Sequence, residues 1–111
     1  MEENQLLIVL GENIAKQRKR LNMSQKELAI SLDISQQSLV RIEKGQMAPK
    51  MTRLQDVANH LQCPVSYLFK TDEELLSDRA KVMAHVLDDL PVEAQEMIVD
   101  AVSIMAKVMR G

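Results

Sequence analysis

The side chains able to do chemistry crowd into one stretch, Ser24 to Gly45, which reads SQKELAISLDISQQSLVRIEKG. Gln36, Gln37, Ser38, Arg41 and Lys44 fall there together. A glutamine amide presents a donor beside an acceptor, and a guanidinium forks onto paired acceptors. These groups recognise polar edges and anions; they do not attack bonds. Elsewhere the reactive inventory is thin. His60 and His85 are far apart and lack companion ligands, Cys63 is the single cysteine, and no glycine-rich phosphate loop occurs. No nucleophile–base constellation or metal-ligand spacing is present, so neither an enzyme nor a metal or cofactor site is expected.

The elements that must position these groups are helical. Aromatic residues are 2% of the chain, and glycine and proline number three each, which disfavours sandwiches and barrels. Helix starts are legible in Ser24-Gln-Lys-Glu27, Thr52-Arg-Leu-Gln55 and Thr71-Asp-Glu-Glu74, each a capping-box pattern, and in Ser35 as a simpler N-cap. Pro64 and Pro91 suit first helical turns, and Gly45 suits a helix C-terminal stop. The predicted helices cover 5–21, 25–32, 36–44, 53–61 and 65–69, then 72–88 and 91–109. Leu10, Ile14 and Leu21 share one face, as do Leu28 and Leu32, Leu39 and Ile42, and Leu54, Val57 and Leu61. Only Asp33-Ile34-Ser35 joins the second and third helices, so they must cross steeply, and Ala29 supplies the small side chain at the crossing. Leu39 and Ile42 then face inward, leaving Gln36, Gln37, Ser38, Val40, Arg41 and Lys44 outside.

The net charge of −2 conceals a division. Residues 1–70 hold ten Lys/Arg against seven Asp/Glu, net +3; residues 71–111 hold four against nine, net −5. A basic front can meet phosphate while an acidic rear is kept from it. The acidic Met1–Asn4 is unlike a secretory leader, and the apolar run Leu6 to Leu10 is too short for a signal core or a membrane span. With one cysteine, no internal disulfide is possible, and a reduced, cytoplasmic setting away from membranes is expected.

From Leu10 to Phe69 the chain resembles the Cro and lambdoid-phage repressor (XRE-type) helix-turn-helix domains. The resemblance is carried by Gln25, Ala29, Gln36-Gln37-Ser38, Glu43-Lys44-Gly45 and Pro49. It implies a five-helix, lambda-repressor-like DNA-binding domain over residues 1–70; the predicted helices beyond it make a helical hairpin over 71–111, so the whole is expected to be all-α. It also implies that the helix beginning at Gln36 lies in the major groove of double-stranded DNA. Gln36, Gln37, Ser38 and Arg41 become base readers: glutamine pairs with N6 and N7 of adenine, and arginine with O6 and N7 of guanine. Gln25, Lys44, Gln46, Lys50 and Arg53 become phosphate contacts. Arg18 and Glu43 are expected to form an ion pair between the first helix and the end of the reading helix. Asp33 departs from the family, which usually has glycine at a turn needing φ above zero; aspartate tolerates that backbone better than most residues.

Residues 71–111 are too few to build a core of their own, yet they are rich in apolar side chains. Leu76, Ala80, Met83, Leu87 and Leu90 form a heptad-like seam, and Met97 to Met109 is apolar around most of its circumference. Such a helix must be covered on more than one side. A homodimer through Leu76, Met83, Leu87, Ile98, Val102 and Met105 is expected, with Leu6 to Leu10 as a further contributor. Met83, Met97, Met105 and Met109 would make that surface adaptable. The function implied is a transcription regulator, a repressor, that binds an inverted-repeat operator. The alternative is an antitoxin-type regulator whose rear binds a partner protein.

Overall fold

Helix endings shape this molecule as much as helix interiors do. The computed structural model describes residues 2–111: α1 (Glu3–Arg20), α2 (Gln25–Ser31), α3 (Gln36–Glu43), α4 (Met51–His60), a 3-10 turn (Val65–Phe69), α5 (Asp72–Asp88) and α6 (Val92–Arg110). After each of the first four helices, one residue takes left-handed backbone: Asn22 (φ 57°), Asp33 (φ 55°), Gly45 (φ 73°) and Gln62 (φ 56°). The following N–H then folds back five residues, from Met23 to Arg18, Ile34 to Ala29, Gln46 to Arg41 and Cys63 to Ala58, at 2.9–3.1 Å. Repeating this Schellman closure satisfies the orphan carbonyls and turns the chain sharply enough for short helices to pack on one another. Asp33 adopts the φ its turn demands, and Gly45 ends α3 as its sequence position predicts.

The fold is all-α, as expected, with some helix starts displaced. Ser24 caps α2 through Oγ, which accepts from the Glu27 N–H at 3.0 Å, while the Glu27 carboxylate accepts from the Ser24 N–H at 3.1 Å. These bonds hold the Glu27 carboxyl below its ordinary pKa. The box expected at Thr52 does not form. Lys50 is the N-cap of α4, and its carbonyl accepts from Arg53 and Leu54, so Thr52 lies inside the helix. Lys50 is the last extended residue, with φ −62° and ψ 146°, and Met51 is already helical, so the cap falls two residues before Thr52. Pro64 and Pro91 occupy cap positions, one residue before the helical turns expected of them. Residues 65–69 wind as the tighter 3-10 form.

The chain divides into two compact units, Met1–Glu73 and Glu74–Gly111. In the first, Leu10, Ile14, Leu28, Ala29, Leu32, Leu39, Ile42, Val57, Ala58, Leu61 and Leu68 form one buried cluster. Leu21 and Leu54, also placed on inner faces by their spacing, are half-buried against it. Gly11 lets α1 lie directly on the last turn of α3. A Cβ built there would fall 2.6 Å from the Glu43 carbonyl oxygen and closer still to that of Ile42. Asn13 then closes the bundle, its Nδ2 donating to the carbonyls of Leu68 (2.9 Å) and Lys70 (2.7 Å). Lys16 pairs with Asp72 at 2.9 Å, with both side chains still largely exposed. Surface pairs of this kind contribute little.

The second unit is an α5–α6 hairpin. Gln95 Nε2 ties its turn by donating to the carbonyls of Leu87 (2.8 Å) and Leu90 (3.0 Å). No residue of α6 is buried. No helix of the described chain is long and apolar enough to cross a membrane.

Candidate nucleic-acid interface

The outer surface of α3 is set by how the helix is held. Ser35 caps it, with Oγ accepting from the Ser38 N–H at 3.0 Å and donating to Ser38 Oγ at 2.9 Å. Leu39 and Ile42 are sunk in the core, 1% and 5% exposed. The helix therefore has no freedom to rotate, and its opposite face is committed to solvent. Gln36, Gln37 and Arg41 are exposed on that face, and Val40 is half-buried beside them. Gln36, Gln37, Val40, Arg41, Lys44 and Gln46 line one shallow depression. No carboxylate is among them. The surface offers amide donor–acceptor couples flanked by two cations.

The last turn of α3 is fixed from behind by a buried ion pair. Arg18 Nε and Nη2 donate to the two oxygens of Glu43 at 2.8 and 3.0 Å, with the side chains 9% and 6% exposed. Arg18 Nη1 also donates to the Met23 carbonyl at 3.0 Å. Two parallel bonds and the extra carbonyl satisfy most of the guanidinium, as a buried charge requires. The pair sequesters the one acid of α3 and keeps its charge from the outer face.

The expected site residues separate into groups. Gln36, Gln37, Arg41, Lys44 and Gln46 are gathered in the depression. Ser38 is half-buried and shares a different cleft with Lys50 and Arg53. Arg53 is half-buried, and its Nη1 donates to the Leu32 carbonyl, so part of its guanidinium serves the turn between α2 and α3. Gln25 stands at the first position of α2 and donates through Nε2 to Glu43 Oε1 at 2.9 Å. One amide hydrogen is thus spent on the Glu43 carboxylate. Sequence reasoning missed Gly11, whose lack of a side chain sets the distance between α1 and α3. A glycine inside an otherwise strong helix is the signal that marks it.

In the rear unit, Leu76, Met83, Val102 and Met105 are exposed, whereas Leu87 and Ile98 are half-buried within the hairpin. Met83, Leu87, Ile98 and Val102 line a narrow apolar groove there.

Comparison with known proteins places this arrangement. The helix-turn-helix (HTH_3) family matches residues 14–68, from the middle of α1 through the 3-10 turn. An uncharacterised HTH-type transcriptional regulator of Sinorhizobium medicae is 37% identical over 67 residues, 60% of this chain and 48% of that protein. The chain spans about half the length of the curated relatives it matches. A hypothetical transcription factor from Neisseria superposes with a TM-score of 0.63 at 22% identity, over 69% of this chain and 88% of that one, a likeness of fold. An HTH_3 family transcriptional regulator from Vibrio cholerae gives a TM-score of 0.58 at 25% identity, over 69% and 43% of the respective chains. Family match and bundle coincide over the same helices, and on that footing this chain belongs to the XRE-type helix-turn-helix family.

Proposed function

We propose that the chain is a transcription regulator that binds an inverted-repeat operator as a homodimer and represses by occupying it. One observation carries this reading: α3 is locked by Leu39 and Ile42 while Gln36, Gln37 and Arg41 stand exposed together on its outer side. In the major groove, the two amides suit adenine and the guanidinium suits guanine, with Ser38 at the edge of the set. Lys44, Gln46, Lys50, the remaining amide hydrogen of Gln25 and the outer part of Arg53 hold phosphates on either side. The +3 balance of residues 1–70 supports the same face.

Selection of bound sequences from random duplex DNA tests the function. The enriched pool should share an inverted repeat with half-site centres about 10 base pairs apart, or a multiple of that. A pool with no common element would exclude sequence-specific binding.

The dimer rests on the hairpin. Met97 (72% exposed), Ile104 (64%) and Val108 (76%) leave α6 apolar toward solvent along its length. Residues 71–111 form a region whose cover a second copy would supply, doubling the half-site contacts as well. Met105→Asp is the clean test, because Met105 is 56% exposed and a charge there leaves the hairpin's interior intact. Sedimentation should find the native chain dimeric at micromolar concentration and the variant monomeric. A monomeric native chain would overturn the dimer. If it instead sediments with a different, separately encoded protein, the antitoxin-type reading takes its place.

A further inference from the structure

A second cleft, lined differently from the glutamine surface, opens between α3, α4 and the loop that joins them. Its walls are apolar, Ile34 from the turn and Met47, Ala48 and Pro49 from the loop, over a floor formed by the edges of the core residues Leu32, Ile42 and Val57. Two of its lining residues, Lys50 and Arg53, are cations, and none of the described residues lining it is acidic. Lys50 is exposed. Arg53 has given one N–H to the Leu32 carbonyl, and a guanidinium carries five. The volume is about 290 Å³, just under the roughly 300–1,000 Å³ typical of small-molecule sites. A hydrophobic floor beside paired cations matches one ligand chemistry. A nucleic-acid backbone would satisfy the cations but has no hydrocarbon for the floor.

We propose that this cleft binds a small amphipathic anion, with a short hydrocarbon body against Leu32, Ile34, Ile42 and Val57 and a carboxylate held by Lys50 and Arg53. Because Ile42 is the inner anchor of α3 and Lys50 is one of the phosphate contacts assigned above, such a ligand would oppose DNA binding. That consequence rests on the DNA reading; the site itself does not. By linkage, DNA must weaken the ligand by the same factor that the ligand weakens DNA.

The probe is sodium octanoate below its micelle-forming range, titrated into the full-length isotope-labelled chain without DNA and followed by amide NMR shifts. Saturable shifts at Leu32, Ile34, Ile42, Met47 and Val57 are expected. Octanol, which keeps the tail and lacks the charge, should bind about tenfold more weakly. Lys50→Gln should weaken octanoate about threefold, as befits one exposed cation. Inorganic phosphate, which has the charge and no tail, should not saturate the site. Shifts confined to the α5–α6 hairpin, equal binding of octanol and octanoate, or saturation by phosphate at the octanoate concentration would each overturn the assignment. Operator binding is then measured with and without octanoate. A chain that takes octanoate in the cleft but binds no duplex refutes the DNA reading and leaves the cleft standing. A chain that binds its operator and shows no saturable octanoate shifts refutes the cleft alone.

Discussion

Gly11→Ala should lower the stability of the first unit by about 2 kcal/mol or more, although it replaces a poor helix former with the best one. Propensity alone predicts a gain of about 1 kcal/mol within α1. The contact decides the sign. The atoms a methyl group would strike are the carbonyl oxygens of Ile42 and Glu43, which belong to the backbone of α3 and cannot swing aside. Relief requires α1 to move off α3, opening the packing of Leu10 and Ile14 against the core, and tilting the helix that carries Gln36, Gln37 and Arg41. Urea denaturation should show a lower midpoint, and operator binding should fall in step. A midpoint equal to or above that of the native chain would show that the two helices do not touch as closely as described.

A loss of similar or greater size is expected from Glu43→Gln, which keeps the shape of the side chain and removes its charge. Arg18 would be left buried and without a counter-ion, and breaking a buried pair from one side costs about 3–5 kcal/mol. Removing both charges together, as Arg18→Met with Glu43→Met, should cost much less than the two single losses added, because the desolvation of an unmatched charge disappears. Thermal or urea unfolding of the native chain, Arg18→Met, Glu43→Met and the double forms a complete cycle. Additive losses would mean that the pair is not coupled across α1 and α3.

Which of these features the sequence displays follows from the range of the interaction behind each. Ser24 and Ser35 announce helix starts because a cap is settled within four residues. Gly45 and Asp33 announce stops because left-handed backbone favours few side chains. Asn22 and Gln62 make the same turn, but a Gln at such a position carries no local signal. The apolar spacing placed Leu39 and Ile42 inside, and with them the outward face of α3, since a period of 3.6 leaves little choice. The ion pair between Arg18 and Glu43 was legible only through family resemblance, being 25 residues apart in the chain. Asn13 reaching the carbonyls of Leu68 and Lys70, Gln25 turning inward to Glu43, and Arg53 holding Leu32 depend on distant partners. Nothing in their neighbourhoods specifies them. Lys50 takes the cap position two residues before Thr52 with no side-chain hydrogen bond to the helix, so its residue type announces no start.

The claim that stands or falls with the site is that the outer face of α3 reads base pairs. It is tested most directly by titrating the native chain and Gln37→Ala against the selected operator and all base substitutions at each half-site position. Gln37→Ala should lose about 1–3 kcal/mol on the operator and its discrimination at one base pair per half-site, an adenine position, while binding to unrelated DNA barely changes. If the variant retains the native base preferences at every position, α3 does not read the sequence and the account of this surface is wrong.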